Sequence, residues 1–122
     1  MRIFKNAWFQ RFARRENISD AALAETIARA VKGSVDTALG GNVIKQRIAR
    51  PRQGKSGGYR ALIVFRRGDR AFFVYGFAKK ERDNIRRDEL KVFKQAAKEL
   101  LALSDEQIEK LITVGGLTEV EL

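Results

Sequence analysis

A single α+β domain, with an antiparallel sheet backed by helices, is the fold the sequence predicts. Three observations predict it. The chain has 122 residues, the usual size of one domain, so 1–122 reads as one unit. Its middle third carries strand-like runs joined by short turn signals, which favours an antiparallel meander. Both flanks instead carry apolar residues at helical spacing.

Taken in order, residues 2–4 read as a short strand. Trp8, Phe9 and Phe12 then mark the apolar stripe of a first helix that ends at Asn17. Ser19 suits the N-cap of a second helix over 20–32, with Leu23, Ile27, Ala30 and Val31 on one face and Gly33 as its stop. The two helices read as an αα-hairpin, and Trp8 with its aromatic neighbours reads as core. Gly40-Gly41-Asn42 is a turn signal. A strand follows over 43–49, with Ile44 and Ile48 on one face, Lys45 and Arg47 on the other, and Pro51 ending it. In the next strand, 59–65, Tyr59, Ala61, Ile63 and Phe65 share one face while Arg60, Leu62 and Val64 share the other. A turn at Arg67-Gly68-Asp69-Arg70 leads into an almost wholly apolar strand over 71–77, as a central strand should be. Asp83 or Asp88 then opens an amphipathic helix through Leu90, Phe93, Ala97, Leu100 and Leu101. Ser104 to Gln107 form a capping box for a last helix, which Gly115-Gly116 stops, and 117–122 reads as a final strand.

Composition removes several chemistries. There is no cysteine and no histidine. Disulfides, cysteine–metal sites and every Ser-His or Cys-His triad are therefore excluded. The acids fall singly or at helix caps, so no metal centre and no cofactor are expected. The N-terminal Met1-Arg2-Ile3-Phe4-Lys5 lacks the apolar core of a signal peptide, and no run reaches membrane-spanning length. A cytoplasmic protein with no membrane partner is expected.

Net charge is +10, and it is not evenly spread. Residues 45–80 contain eleven Lys and Arg against one acid, Asp69, which leaves +10 there and neutrality elsewhere. Focused charge of this kind points to a polyanion, nucleic acid or an acidic protein, over a merely solvated basic face. Gly54-Lys55-Ser56 resembles part of a phosphate loop, but the element after it is a strand, where such a loop needs a helix N-terminus. The glycines read better as backbone that lets cations reach inward. Arg60 stands apart as a charge inside an apolar strand. It either pairs with a helix carboxylate such as Asp88 or Glu89, or waits for a phosphate that its planar fork suits. In a hairpin turning at Gly68, Arg60, Lys79, Lys80 and the Lys55 loop converge at one end of the sheet.

These residues carry a resemblance. Gly58-Tyr59-Arg60 opening a strand, a hairpin, then Phe77-Ala78-Lys79-Lys80-Glu81 before Asn84-Ile85, with Gln53 to Gly58 leading in, resembles the RelE/ParE toxin superfamily, most closely its HigB-like branch. The resemblance implies a toxin of a bacterial toxin–antitoxin pair, held in check by a cognate antitoxin. It implies ribosome-dependent cleavage of mRNA by attack of the ribose 2′-OH, without metal. Matched by motif, Arg60 is the phosphate stabiliser and Lys80, with Lys79 beside it, serves the transition state or leaving group. Lys55 is the candidate base. Lys45, Arg47, Arg50, Arg52 and Arg86 read as RNA-binding. Some members place a catalytic tyrosine where this chain has Arg86. ParE-like members share the fold and poison gyrase instead, and a non-catalytic nucleic-acid-binding module is the other alternative.

Overall fold

The computed structural model describes residues 1–49 and 58–122. Arg50, Arg52, Lys55 and the Gly54-Lys55-Ser56 pattern lie outside the described residues. The element order is β1 (Arg2–Asn6), α1 (Ala7–Glu16), α2 (Asp20–Val31), β2 (Thr37–Gly40), β3 (Val43–Ile48), β4 (Tyr59–Phe65), β5 (Arg70–Ala78), α3 (Arg87–Leu101), α4 (Asp105–Thr113) and β6 (Leu117–Glu119).

One six-stranded sheet runs in the order β2-β3-β4-β5-β1-β6. β3, β4 and β5 form the expected antiparallel meander. The expectation of a wholly antiparallel sheet is corrected at β1, which lies parallel to β5. The physical reason is that β1 is the strand that covers the far edge of apolar β5, whose Phe72 and Phe73 are fully buried. β2 was not expected. It is four residues long, mostly exposed, and exists by pairing back on β3 across Gly40 and Gly41, both at positive φ.

The alternation read from β4 is what builds two cores. Tyr59, Ala61 and Ile63 join Phe9, Phe12, Leu23 and Ile27 on the face that carries α1 and α2. Leu62 and Val64 join Phe4, Phe72, Ala97 and Ile108 on the face that carries α3 and α4. α1 lies over β5 and β1, and α2 over β3. Gly76 allows that approach: a Cβ there would sit 2.6 Å from Phe12 Cε2. Three polar side chains are buried among the described residues, Lys5, Thr26 and Gln46, and Thr26 Oγ1 donates to the Ala22 carbonyl at 2.8 Å. Lys5 Nζ donates to Asp20 Oδ1 at 2.8 Å. Burial pushes the Asp20 carboxyl up, but hydrogen bonds from Lys5 and from the Glu121 N–H outweigh it and leave its pKa lowered. Gln46, fully buried, accepts from the Asp36 N–H at 2.7 Å and donates to the Ser34 carbonyl at 3.1 Å, fixing the α2–β2 connection to β3.

Helix ends follow the local chemistry. Asn17 closes α1 at φ 58°, and Ser19 Oγ accepts from the Ala22 N–H at 3.1 Å. The Ser104–Gln107 capping box forms, with bonds of 3.1 and 2.8 Å. α3 opens at Arg86 rather than at Asp83 or Asp88. Glu89, three residues in, accepts from the Arg86 N–H at 2.7 Å, so the first turn is closed from inside the helix and Asp88 merely sits in it.

Candidate functional site

Strand register decides which cations meet. Arg47 of β3 is the partner of Arg60 in β4, and Arg60 is the partner of Phe77 in β5. A residue pair on adjacent strands points to the same face, about 5 Å apart. Arg47 and Arg60 therefore emerge side by side, with Lys45 two residues along β3. Together with Asp36 and Thr37 they line a cleft of about 340 Å³ at this end of the sheet. Gly58 permits the junction: a Cβ there would lie 2.8 Å from the Ile48 carbonyl oxygen. A side chain would pry the start of β4 away from β3.

Arg60 is half-buried, and its guanidinium donates to its neighbour's carbonyl, Tyr59 O, at 3.3 Å. The carboxylates that could have neutralised it are occupied elsewhere. Glu89 pairs with Arg82 and Arg86, and Asp88 with Arg86 at 3.2 Å. The hydrogen bond from Arg82, reinforced by the Arg86 N–H, holds the Glu89 carboxyl down at about 2. Among the described residues, Asp36 is the one acid in the cleft wall, and it is committed to the backbone, accepting from the Arg47 N–H at 2.7 Å. From α2, Arg29 donates to the Arg47 carbonyl. Asp36 and Arg29 thus fix the β3 backbone from which the Arg47 side chain projects. Among the described residues, neither the Arg47 nor the Arg60 side chain has a carboxylate partner. Two adjacent cations left so are a preorganised receptor for an anion.

The other expected site residues fall into three groups. Lys79 and Lys80 follow β5 and are exposed, and the Lys79 N–H donates to the Gly58 carbonyl at 3.2 Å, so the end of β5 does lie beside the start of β4. Lys45 Nζ donates to Asn84 Oδ1 at 3.2 Å, which draws the segment before α3 toward the cleft. Arg86 is exposed but paired with Asp88 and Glu89, a helix-end role as much as a binding one. The basic window does not act as one surface. Arg66, Arg67 and Arg70 belong to the β4–β5 hairpin, at the opposite end of a seven-residue strand that is roughly 20 Å long. Asp36 and Arg29 were missed by sequence reading. Neither stands out locally, since both matter through β3, a separate element.

Among the described residues, no group of three or more acids could hold a metal ion, and no helix is long and apolar enough to cross a membrane. The class these features define is a basic α+β domain with a cation-lined cleft at one end of a mixed sheet. Residues 1–120 match the model of the family described as the RelE toxin of the RelE/RelB toxin–antitoxin system. The chain belongs to that family, and is a toxin of a toxin–antitoxin system. No curated protein matches it.

Proposed function

We propose that the protein is a HigB-like, ribosome-dependent mRNA endoribonuclease that arrests translation until an antitoxin neutralises it. The observation that carries this reading is the Arg47–Arg60 pair: two guanidinium groups on neighbouring strands, in a cleft, neither with a carboxylate partner among the described residues. Self-cleavage of RNA needs little more than such a site. The 2′-oxygen loses its proton and bonds to the adjacent phosphorus. The bond from phosphorus to the 5′-oxygen breaks, and that oxygen takes up a proton. Negative charge grows on the phosphate oxygens between these events, and fixed cations aimed there lower the barrier most. In this reading Arg60 holds the phosphate, with Arg47 and Lys45 extending the contact along the backbone. Lys79 and Lys80, beside the start of β4, serve the transition state or the leaving oxygen. Lys55 takes the 2′-proton, and Arg50, Arg52 and Arg86 bind the flanking strand.

The test is controlled expression in a bacterium, with transcript 5′ ends mapped after induction. New ends on translated messages, lost in Arg60→Ala, are the expected result. Growth arrest with intact messages would remove the nuclease reading and leave a gyrase poison or another target.

A further inference from the structure

A second groove, of about 460 Å³, lies between α1 and the end of β5 and is not used by the reaction above. It exists because β1 pairs with β5 only from Arg70 to Phe73. Beyond that, the side of β5 over 75–78 faces α1 instead of a strand. Trp8 of α1 is half-buried there, tilted against Tyr75 with ring centroids 4.5 Å apart. The opposite wall is Arg82, whose guanidinium lies 5.7 Å from the Tyr75 ring and 5.8 Å from Phe77. It is held flat by Tyr75 Oη at 2.9 Å, the Asn84 carbonyl at 2.7 Å and Glu89. From α1, Arg15 lies over Phe12 at 5.6 Å. Phe12 and Phe77 are buried and Trp8 is stacked on Phe12 at 5.3 Å, so the planar surfaces the groove offers are the half-buried Trp8 and Tyr75 and guanidinium groups locked against rings, which are what an unstacked base packs on.

Position and charge narrow the ligand. Phe77 lines this groove and is the register partner of Arg60, so the groove is built on the strand next to the one that carries the proposed phosphate ligand. Two carboxylates also line it. Glu16 Oε1 is taken by the Tyr59 hydroxyl at 2.9 Å. Glu81 is exposed, and its carboxylate has no partner among the described residues. A carboxylate repels a second phosphate, but it accepts a hydrogen bond from an exocyclic amino group, as on adenine, cytosine or guanine and not on uracil. We infer that the Trp8–Tyr75–Arg82 groove is a nucleobase subsite. It receives a base flanking the cleaved phosphate, and Glu81 favours bases that carry an amino group. This inference rests on the nuclease reading.

The experiment is the same mapping of induced cleavage ends, now scored for base composition on each side of the cut, in the wild type, Glu81→Ala and Arg15→Ala. Both side chains are on the surface, and circular dichroism checks that the variants fold. Uracil is expected to be depleted at one flanking position in the wild type. Its share there is expected to rise at least threefold in Glu81→Ala, and total cleavage to fall at least threefold in Arg15→Ala. Wild-type cuts with no base bias, or a bias that Glu81→Ala leaves intact, would overturn the subsite while the nuclease reading stands. Absence of any cut in the wild type would overturn both. Should the variants cut as the wild type does, yet need several-fold more antitoxin for neutralisation, the groove holds a peptide and the inference falls.

Discussion

Arg60 and Arg70 sit on neighbouring strands of one sheet, at opposite ends, and their surroundings differ in kind. Arg70 is 14% exposed and bonded to Asp105 and to the Leu103 carbonyl, each at 2.6 Å. Its register partner Arg2 grips Glu119 and Glu109 at 2.8 and 2.9 Å. These cations tie α4 and β6 to the sheet. Among the described residues, the Arg60 side chain and that of its partner Arg47 have no such acids, and they line a cleft instead. The comparison teaches that basicity alone does not locate a site. What matters is which cations the fold leaves unneutralised, since a paired arginine contributes to stability and an unpaired one keeps its charge available to an anion.

Substitutions at the two ends should therefore separate activity from stability. The largest effect is expected from Arg60→Ala: in-cell cleavage should fall by about 10²-fold or more, the scale seen when one transition-state hydrogen-bond donor is removed. The melting temperature should stay level or rise slightly, because a cation leaves a like-charged neighbour. A clear drop in melting temperature would show that Arg60 is structural after all. Gly58→Ala should damage both properties, because its Cβ would meet the Ile48 carbonyl at 2.8 Å and displace β3 with Arg47. A loss of about 1–3 kcal/mol in denaturant unfolding is expected, together with reduced cleavage.

Arg70→Ala should show the reverse of Arg60→Ala. It leaves the buried end of the Leu103 carbonyl interaction unmade and frees α4, so about 1–2 kcal/mol of stability should be lost. Cleavage per folded molecule should remain at the wild-type level, measured by mapping at a temperature well below melting. Loss of cleavage in folded Arg70→Ala would end the contrast between the two ends. The smallest effect is expected from acid. Glu89 ordinarily titrates near 4.5 and is lowered to about 2 in the folded protein, first by its bond from Arg82. A lowered folded pKa means its stabilising contribution is complete above about 4.5 and is lost as pH falls toward 2. The Trp8–Tyr75–Arg82 stack should loosen over that window. Fluorescence of the single tryptophan reports it, and Glu89→Gln should make that change smaller.

Much of the fold is legible along the chain because it rests on local rules. The period-two pattern of Tyr59 to Val64 assigned both faces of β4 correctly, since one face packs on α1 and α2 and the other on α3 and α4. Ser19, Asn17 and Ser104 sit at helix ends because their side chains or left-handed backbone satisfy groups a few residues away. Trp8, whose spacing marks it as core, is half-buried at a groove, a difference that depends on where β1 stops beside β5. β2 was invisible, because a four-residue strand has no alternation to detect and gains its hydrogen bonds from β3.

The sequence by itself determined the residue types available for chemistry, the helices with their caps, the central meander and the clustering of charge, all of which depend on composition or on neighbours within a few positions. It also determined that Arg60 lies near Lys79, because a hairpin folds one strand back on the next. Only the tertiary structure decided that β1 runs parallel to β5, that Arg66, Arg67 and Arg70 go to the far end, and that Glu89 is consumed by Arg82 and not by Arg60. Pairing between groups far apart in the chain is a competition settled by geometry. A carboxylate can neutralise whichever guanidinium the packing of helices brings within reach, and the linear order of charges does not say which one that is.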